Sequence, residues 1–180
     1  MRKVLYILSE LSDLDMDWLI NNGSKQAIPQ GTVLVQQGRM ADALLFVLKG
    51  MFKVTVPSKN DLDIARLGAG EIIGEVSFVD SKPPSASVTA IEDSIVFAVG
   101  RQKLLDKLKQ DSAFAARFYR AIAMFLSIRL RTTTGLVAYY GKSQQSPEDK
   151  EESDELDGSM LDTVSLAGNR FDRMLKRLMG

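Results

Sequence analysis

The chain has 180 residues, 45% of them hydrophobic, which fits one compact domain with a core and an appendage. Lysine plus arginine and aspartate plus glutamate each total 23, so a formal charge of zero gives no overall field to attract nucleic acid or an anionic membrane. The absence of cysteine and histidine excludes disulfides and thiolate chemistry and removes the commonest general base and metal ligand. We therefore predict no catalytic residues, no metal and no enzymatic activity.

The sequence contains no predicted targeting or membrane-spanning segment. The apolar run from Val4 to Leu8 is too short for the core of a signal peptide. No stretch approaches the roughly 20 apolar residues that a transmembrane helix needs. We expect a cytoplasmic protein without a transmembrane segment.

The N-terminal part predicts one helix followed by a β domain. Ser12 followed by Asp15 is typical of an N-capped helix, which we expect to end at residues 21–23. From Lys25 onward the hydrophobic pattern changes to that of strands. Short strands separated by glycine turns predict an antiparallel jelly-roll barrel, or β-roll, over about residues 25–100. The predicted strands are 27–28, 33–35, 44–48, 52–56, 64–67 and 94–99.

After the barrel the pattern becomes helical. We predict a short helix at 101–110 and a long one at 112–135, which together with the preceding residues make one domain, 1–140. The apolar stripe of the long helix is wide and must be buried, against its own barrel or in a homodimer through 112–135. It comprises Phe114, Phe118, Ala121, Ile122, Phe125, Ile128 and Leu136.

The C-terminal part divides into two predicted segments. Residues 141–159 are acidic and lack apolar periodicity, so we predict a flexible linker. Residues 160–180 place their apolar side chains on one helical face and predict an amphipathic helix. This helix is a candidate for docking on its own barrel or dimer mate, for binding a protein partner, or for lying on a membrane surface.

The most informative stretch is 73–90, where a glycine and an acid precede a short apolar turn and a proline-containing loop. Glycine lets the backbone approach a ligand, and N–H groups at a short helical turn can converge on an anion. Glu75, directly after Gly74, would accept a hydrogen bond from a sugar hydroxyl. The pattern predicts a cradle for a phosphate and a ribose.

This stretch resembles the phosphate-binding cassette of cyclic nucleotide-binding domains. Gly74-Glu75, Pro83 and the run Ser85 to Val88 match its pattern in register, whereas Pro84 replaces the arginine that pairs with the cyclic phosphate. Glycines spaced as in that family extend the likeness to about residues 11–135; they are Gly31, Gly38, Gly50, Gly68 and Gly70. The resemblance implies a mainly β fold with flanking α-helices and a long C-terminal helix.

The resemblance also implies a function. It predicts a bacterial, non-enzymatic regulatory module that senses cAMP or cGMP without any cofactor and signals through protein contacts, with residues 160–180 as the partner-binding segment. The predicted ligand-binding residues are Gly74, Glu75, Val76, Ser77, Pro84, Ser85, Ala86 and Arg129, with Lys82 as a candidate to compensate for the missing arginine. No winged helix-turn-helix pattern follows the long helix, so we expect no DNA binding.

Two alternatives to a cyclic nucleotide sensor remain open at this point. Pro84 stiffens the loop, so the pocket could serve another ligand, such as a cyclic dinucleotide or an uncharged or zwitterionic molecule. The pocket could also be unused, with the barrel acting as an unliganded scaffold for protein contacts. In that case Glu75 would simply be a carboxylate favoured at a helix N-terminus.

Overall fold

A computed structural model describes residues 10–56 and 62–142, together with Lys176. Within these residues one helix precedes the strands, a short helix interrupts them, and two helices follow them. Helix α1 is Asp13–Asn22, and strands β1 to β6 are Gly23–Ile28, Val33–Val35, Ala43–Lys49, Met51–Val56, Leu62–Gly68 and Ile72–Ile73. They are followed by α2 (Glu75–Asp80), β7 (Ser87–Ala90), β8 (Ser94–Gly100), α3 (Arg101–Gln110) and α4 (Ser112–Lys142).

The strands form two antiparallel sheets of four strands each, in the orders β1-β8-β3-β6 and β2-β7-β4-β5. Most neighbouring strands are distant in sequence, as in β1 with β8 and β2 with β7, whereas β4 and β5 are consecutive. This arrangement confirms the predicted jelly-roll β-roll with flanking helices. The first strand begins at Gly23, earlier than expected, and β6 is a short strand that the sequence pattern did not predict.

Strand β3 separates two hydrophobic cores. Side chains alternate across a strand, so Leu44 and Phe46 join a cluster with the helices, whereas Leu45 and Val47 join a cluster between the two sheets. Both faces of the strand are therefore apolar, which accounts for the continuous hydrophobic run in the sequence. The cassette strand β6 pairs with β3, so the candidate site is attached to a strand that is buried on both faces.

The apolar stripe of helix α4 packs on the hydrophobic cluster that contains Leu44 and Phe46 of β3. The rings of Phe114 and Phe118 stack at 5.8 Å between centroids, and Phe118 meets Phe78 of α2 edge-on at 5.7 Å. Burying a phenylalanine side chain contributes about 1.5–3 kcal/mol relative to exposure. The stripe is thus buried within the domain from Phe114 to Phe125, and α4 lies against the cassette.

Helix α1 begins with the predicted cap and is joined to α4. Ser12 and Asp15 form a capping box, as expected from the sequence. Arg117 of α4 donates two hydrogen bonds to the Asp15 carboxylate, at 2.6 and 2.9 Å, and Arg120 pairs with Glu10 at 3.0 Å. Burial raises the pKa of Asp15, but the hydrogen bonds from Arg117 and Ser12 outweigh it and leave the pKa below its ordinary value.

Helix α4 continues past residue 135 to Lys142, so it crosses the predicted start of the linker at 141. The rest of the predicted linker and the predicted helix at 160–180, apart from Lys176, lie outside the described residues. In the described ranges, no helix is long and apolar enough to cross a membrane. The same ranges contain no group of three or more aspartate, glutamate, cysteine or histidine side chains that could hold a metal ion.

Candidate functional site

The cassette consists of β6, Gly74, the short helix α2, a loop at 81–86 and β7. Gly74 has φ of 93°, in the left-handed region that favours glycine. A Cβ at this position would lie 3.2 Å from the carbonyl oxygen of Ala43. Glycine is therefore required both by the backbone angle and by the close approach of β3.

Glu75 is the first residue of α2, and its side chain is only 3% exposed. Burial raises the pKa of Glu75 above its ordinary value of 4.5, while the charge of Arg129 and a hydrogen bond from the backbone N–H of Glu75 oppose the rise. An ionised carboxylate is costly at such a position unless a cation or hydrogen-bond donors satisfy it. The site is therefore built to receive donors at this carboxylate.

Arg129 of α4 supplies those donors in this structure. Its Nη1 donates to Oε1 of Glu75, and its Nη2 donates to Oε2 of Glu71 at 3.3 Å. The guanidinium also lies over the ring of Phe125, 5.0 Å from the centroid. The resemblance predicts Arg129 as a ligand-binding residue, and in the structure it contacts Glu75, the predicted sugar acceptor. The involvement of Glu71 was not predicted.

The phosphate end of the cassette is organised by backbone contacts with the loop after β2. The N–H of Gly38 donates to the carbonyl of Pro84 at 2.8 Å, and the N–H of Gln37 donates to Oγ of Ser87 at 3.0 Å. Neither Gln37 nor Gly38 was predicted to contact the cassette, because no local pattern indicates which loop packs on which strand. Pro84 is half-buried, Ser85 is exposed and Ala86 is half-buried.

The remaining predicted site residues lie on or beside α2. Val76 is exposed, and Ser77 is buried. The side chain of Lys82 is exposed, and its backbone N–H donates to the Asp80 carboxylate at 2.9 Å. Lys82 thus stands at the surface, next to an acid.

A second cation, which the sequence did not single out, holds the end of α2. Arg101 donates to the carbonyl of Ser77 at 3.1 Å and to Oγ of Ser81 at 3.3 Å. Its guanidinium also lies 5.2 Å from the centroid of Phe78. In the sequence, only the position of Arg101 directly after strand β8 could have indicated that it lies close to the barrel and α2. Its contacts fix the C-terminal end of the short helix.

These residues satisfy one half of the requirement for a cyclic nucleotide. The sugar end retains a buried carboxylate that can accept a hydroxyl hydrogen bond. In the predicted phosphate loop Pro84 offers neither a side-chain donor nor an N–H, so the prediction leaves only the backbone N–H groups of Ser85 and Ala86 and the Ser85 hydroxyl for a phosphate.

Comparison with known proteins finds a match to one family model. The model of the cyclic nucleotide-binding domain matches residues 25–111. The chain is 29% identical over 123 residues to the cyclic AMP receptor protein of Thermus thermophilus, across 67% of this chain and 55% of that protein. It is 30% identical over 116 residues to a cAMP-dependent protein kinase regulatory subunit of Yarrowia lipolytica, across 61% of this chain and 31% of that protein.

Solved structures show the same relationship. The crystal structure of a cyclic nucleotide-binding domain from Methylobacillus flagellatus is similar with a TM-score of 0.68 and 25% identity, over 81% of this chain and 84% of that chain. The two curated relatives are longer, since the match spans 55% of one and 31% of the other. Sequence match, fold and cassette geometry agree. Residues 25–111 of this chain match the cyclic nucleotide-binding domain family, and the fold of this part of the chain agrees with that match.

Proposed function

We propose that this protein is a non-enzymatic regulatory module that binds a nucleotide-class ligand through Glu75 and reports the binding through α4. The observation that supports the proposal is the contact of Arg129 with Glu75, which joins the cassette to the long helix. In this arrangement the same buried carboxylate is the sugar acceptor and the anchor of α4. Ligand binding and the position of the helix are thereby coupled.

The coupling arises because one carboxylate, that of Glu75, would accept hydrogen bonds from both the ligand and Arg129. A ligand hydroxyl that donates to Glu75 shares the negative charge with Arg129 and changes the strength and geometry of the ion pair. A ligand shifts a conformational equilibrium by its difference in affinity for the two states. If α4 occupies two positions, the ligand therefore favours the one whose Arg129 contact is compatible with the bound hydroxyl.

The ligand class in this proposal is that of cAMP and cGMP, with a degenerate phosphate site. Loss of a guanidinium from a buried phosphate contact costs about 2–5 kcal/mol, so affinity falls by about 30-fold to several thousand-fold. We further propose a cytoplasmic location, a homodimer through 112–135 and a protein partner bound by 160–180. These last features rest on the sequence patterns. The proposal contains no catalytic step and no DNA contact.

A second candidate function is an unliganded interaction scaffold. It is favoured by one observation, namely that Arg129 of α4 forms ion pairs with both Glu75 and Glu71 and so occupies the predicted sugar acceptor. Such a pocket would be filled by its own helix, and the barrel would present α4 to a partner in one fixed position. A pocket for another ligand, such as a cyclic dinucleotide, is a variant of the first proposal.

Calorimetry and thermal unfolding with cAMP, cGMP and a cyclic dinucleotide test the proposal. A ligand at 100 times its Kd raises the free energy of unfolding by about 2.7 kcal/mol. We expect a shift with at least one of these ligands, its loss in Glu75→Gln, and its retention in Glu92→Gln, which changes an exposed acid elsewhere on the barrel. No shift with any of them would favour the scaffold.

A further inference from the structure

The loop after β2 carries an arginine next to the position where Pro84 replaces the arginine of the cassette pattern. We propose that Arg39 of this loop supplies the side-chain contact to a ligand phosphate that Pro84 cannot make. This inference rests on the proposed function, because it concerns the phosphate of the same ligand. It goes further in assigning that phosphate to a residue outside the cassette.

The backbone of this loop is fixed against the cassette on both sides of the phosphate loop. The N–H of Gln37 donates to Oγ of Ser87 at 3.0 Å, and the N–H of Gly38 donates to the carbonyl oxygen of Pro84 at 2.8 Å. Consecutive Cα atoms are about 3.8 Å apart, so Arg39 is one residue step from the group that contacts Pro84. Its long side chain therefore begins beside the position from which the cassette arginine is missing.

The guanidinium of Arg39 is available for a new contact. Arg39 is exposed, and within the described part of the chain no aspartate or glutamate forms an ion pair with it. An arginine in this state can meet a ligand phosphate without first breaking an internal contact. Its planar guanidinium can bind two phosphate oxygens at once through parallel hydrogen bonds.

Other cations around the cassette are less suited to this role. Arg129 donates to the carboxylate of Glu75, and Arg101 donates to the carbonyl oxygen of Ser77 at 3.1 Å. Moving either guanidinium to a phosphate would break these contacts, and for Arg129 it would leave a buried carboxylate without its cation. Lys82 is exposed, but it offers a single ammonium instead of the planar fork of an arginine.

The expected strength of the contact follows from its position at the surface. Water and salt screen an exposed charge, so Arg39 replaces only part of the affinity that a buried arginine would give. A hydrogen bond to a charged group still changes an equilibrium by about tenfold or more. We expect Arg39→Ala to weaken cAMP binding by about tenfold, and we expect added salt to weaken cAMP binding less in this variant than in the wild type.

Titration calorimetry of the full chain with cAMP and adenosine tests the assignment. Arg39→Ala should weaken cAMP binding and leave adenosine binding unchanged, since adenosine has no phosphate. Arg39→Lys should retain part of the affinity for cAMP, because it keeps the charge but loses the fork. Lys25→Ala, which removes an exposed cation from β1, should change neither. The melting temperature of ligand-free Arg39→Ala should equal that of the wild type.

A double-mutant cycle determines whether positions 39 and 84 serve the same phosphate. Pro84→Arg should strengthen cAMP binding, because it restores a guanidinium within the cassette. In that background Arg39→Ala should weaken cAMP binding by less than about threefold, since two residues that share one partner are not additive. Equal losses in both backgrounds would overturn the inference.

The outcomes separate this inference from the proposed function. If the wild type binds cAMP or cGMP and Arg39→Ala binds it equally well, the inference fails and the proposed function stands. A loss in Lys82→Ala in place of Arg39→Ala would assign the phosphate to Lys82, with the same consequence. A loss of cAMP and adenosine binding to the same extent in Arg39→Ala would also overturn the inference. If the wild type binds no cyclic nucleotide, both fail together, and the scaffold remains.

Discussion

Arg129 and Glu75 lie 54 residues apart in sequence and meet across the pocket, where the guanidinium of the long helix donates to a carboxylate that is 3% exposed. The second Nη of the same arginine reaches Glu71. One side chain thus joins α4 to the residues on both sides of Gly74. This ion pair stabilises the contact between α4 and the cassette.

The first prediction concerns the stability of this pair. Arg129→Ala leaves the buried carboxylate of Glu75 without its cation, so we expect the free energy of unfolding to fall by about 3 kcal/mol. This value is at the lower end of the range for buried ion pairs, because Arg129 is 27% exposed. Glu75→Gln combined with Arg129→Ala should recover most of the loss, since no unpaired charge remains. Urea unfolding of both variants at neutral pH measures this. Arg131→Ala, exposed on the same helix, is the matched control.

The pH dependence of Arg129→Ala provides a second prediction. Burial raises the pKa of Glu75 in the folded protein above its ordinary value of 4.5. The free energy of unfolding therefore falls as the pH rises from 4.5 through the pKa of the folded state, because the buried carboxyl group ionises. Removing Arg129 raises that pKa further. The deficit of the variant relative to the wild type should therefore be largest at neutral pH and shrink as pH falls toward 4.5. A deficit that does not change with pH would contradict this assignment.

The junction between α1 and α4 has the opposite pH dependence. Asp15 has a lowered pKa, since the hydrogen bonds from Arg117 and Ser12 outweigh its burial. The ionised Asp15 side chain therefore stabilises the fold at pH values above 3.8, the ordinary pKa of an aspartate. This stabilisation is lost as the pH falls through the lower pKa that Asp15 has in the folded protein. We expect Asp15→Asn to cost about 1–3 kcal/mol at neutral pH and to flatten acid unfolding. Glu92→Gln, which changes an exposed acid on the barrel, should do neither.

The fold was largely predictable from the sequence, because local patterns determine it. Ser12 and Asp15 indicated the start of α1, and the alternation of short apolar runs with glycine turns indicated the β-roll. Pro83 and Ser85 to Val88 placed the cassette by resemblance. The continuation of α4 past residue 135 was not predicted, because the apolar stripe identified in the sequence ends at Leu136.

The contacts within the site were less predictable, because they depend on the packing of distant elements. Gly74 and Glu75 follow from the motif, but the pairing of Arg129 with Glu75 depends on the rotation of α4 over the core. The same holds for Gln37 and Arg101, whose partners lie 50 and 24 residues away in sequence. A local pattern in a single sequence does not indicate contacts between residues that are so far apart along the chain.

A further prediction concerns the backbone at the cassette. Both Gly74→Ala and Gly31→Ala place a side chain on a left-handed backbone, with φ of 93° and 84°, and each should cost about 1–2 kcal/mol. Only at Gly74 does the new Cβ also approach a backbone oxygen, at 3.2 Å from Ala43. We expect Gly74→Ala to cost about 1 kcal/mol more in urea unfolding and to weaken any ligand that binds through Glu75. Equal effects of the two variants would contradict the steric argument.

The last prediction tests the proposed homodimer through the outer face of α4. Leu130 is 67% exposed and Tyr119 is 44% exposed on this face, and exposed apolar side chains along one helix are suited to a two-fold contact with a second copy. Leu130→Glu should weaken self-association at least about tenfold in sedimentation velocity. At a concentration where both proteins are monomeric, the melting temperature should be unchanged, because the side chain contributes little to the domain core and dimerisation itself no longer adds stability. Leu14→Glu, at an 80% exposed position on α1, should leave association intact. A wild-type protein that stays monomeric over the whole concentration range would rule out this dimer.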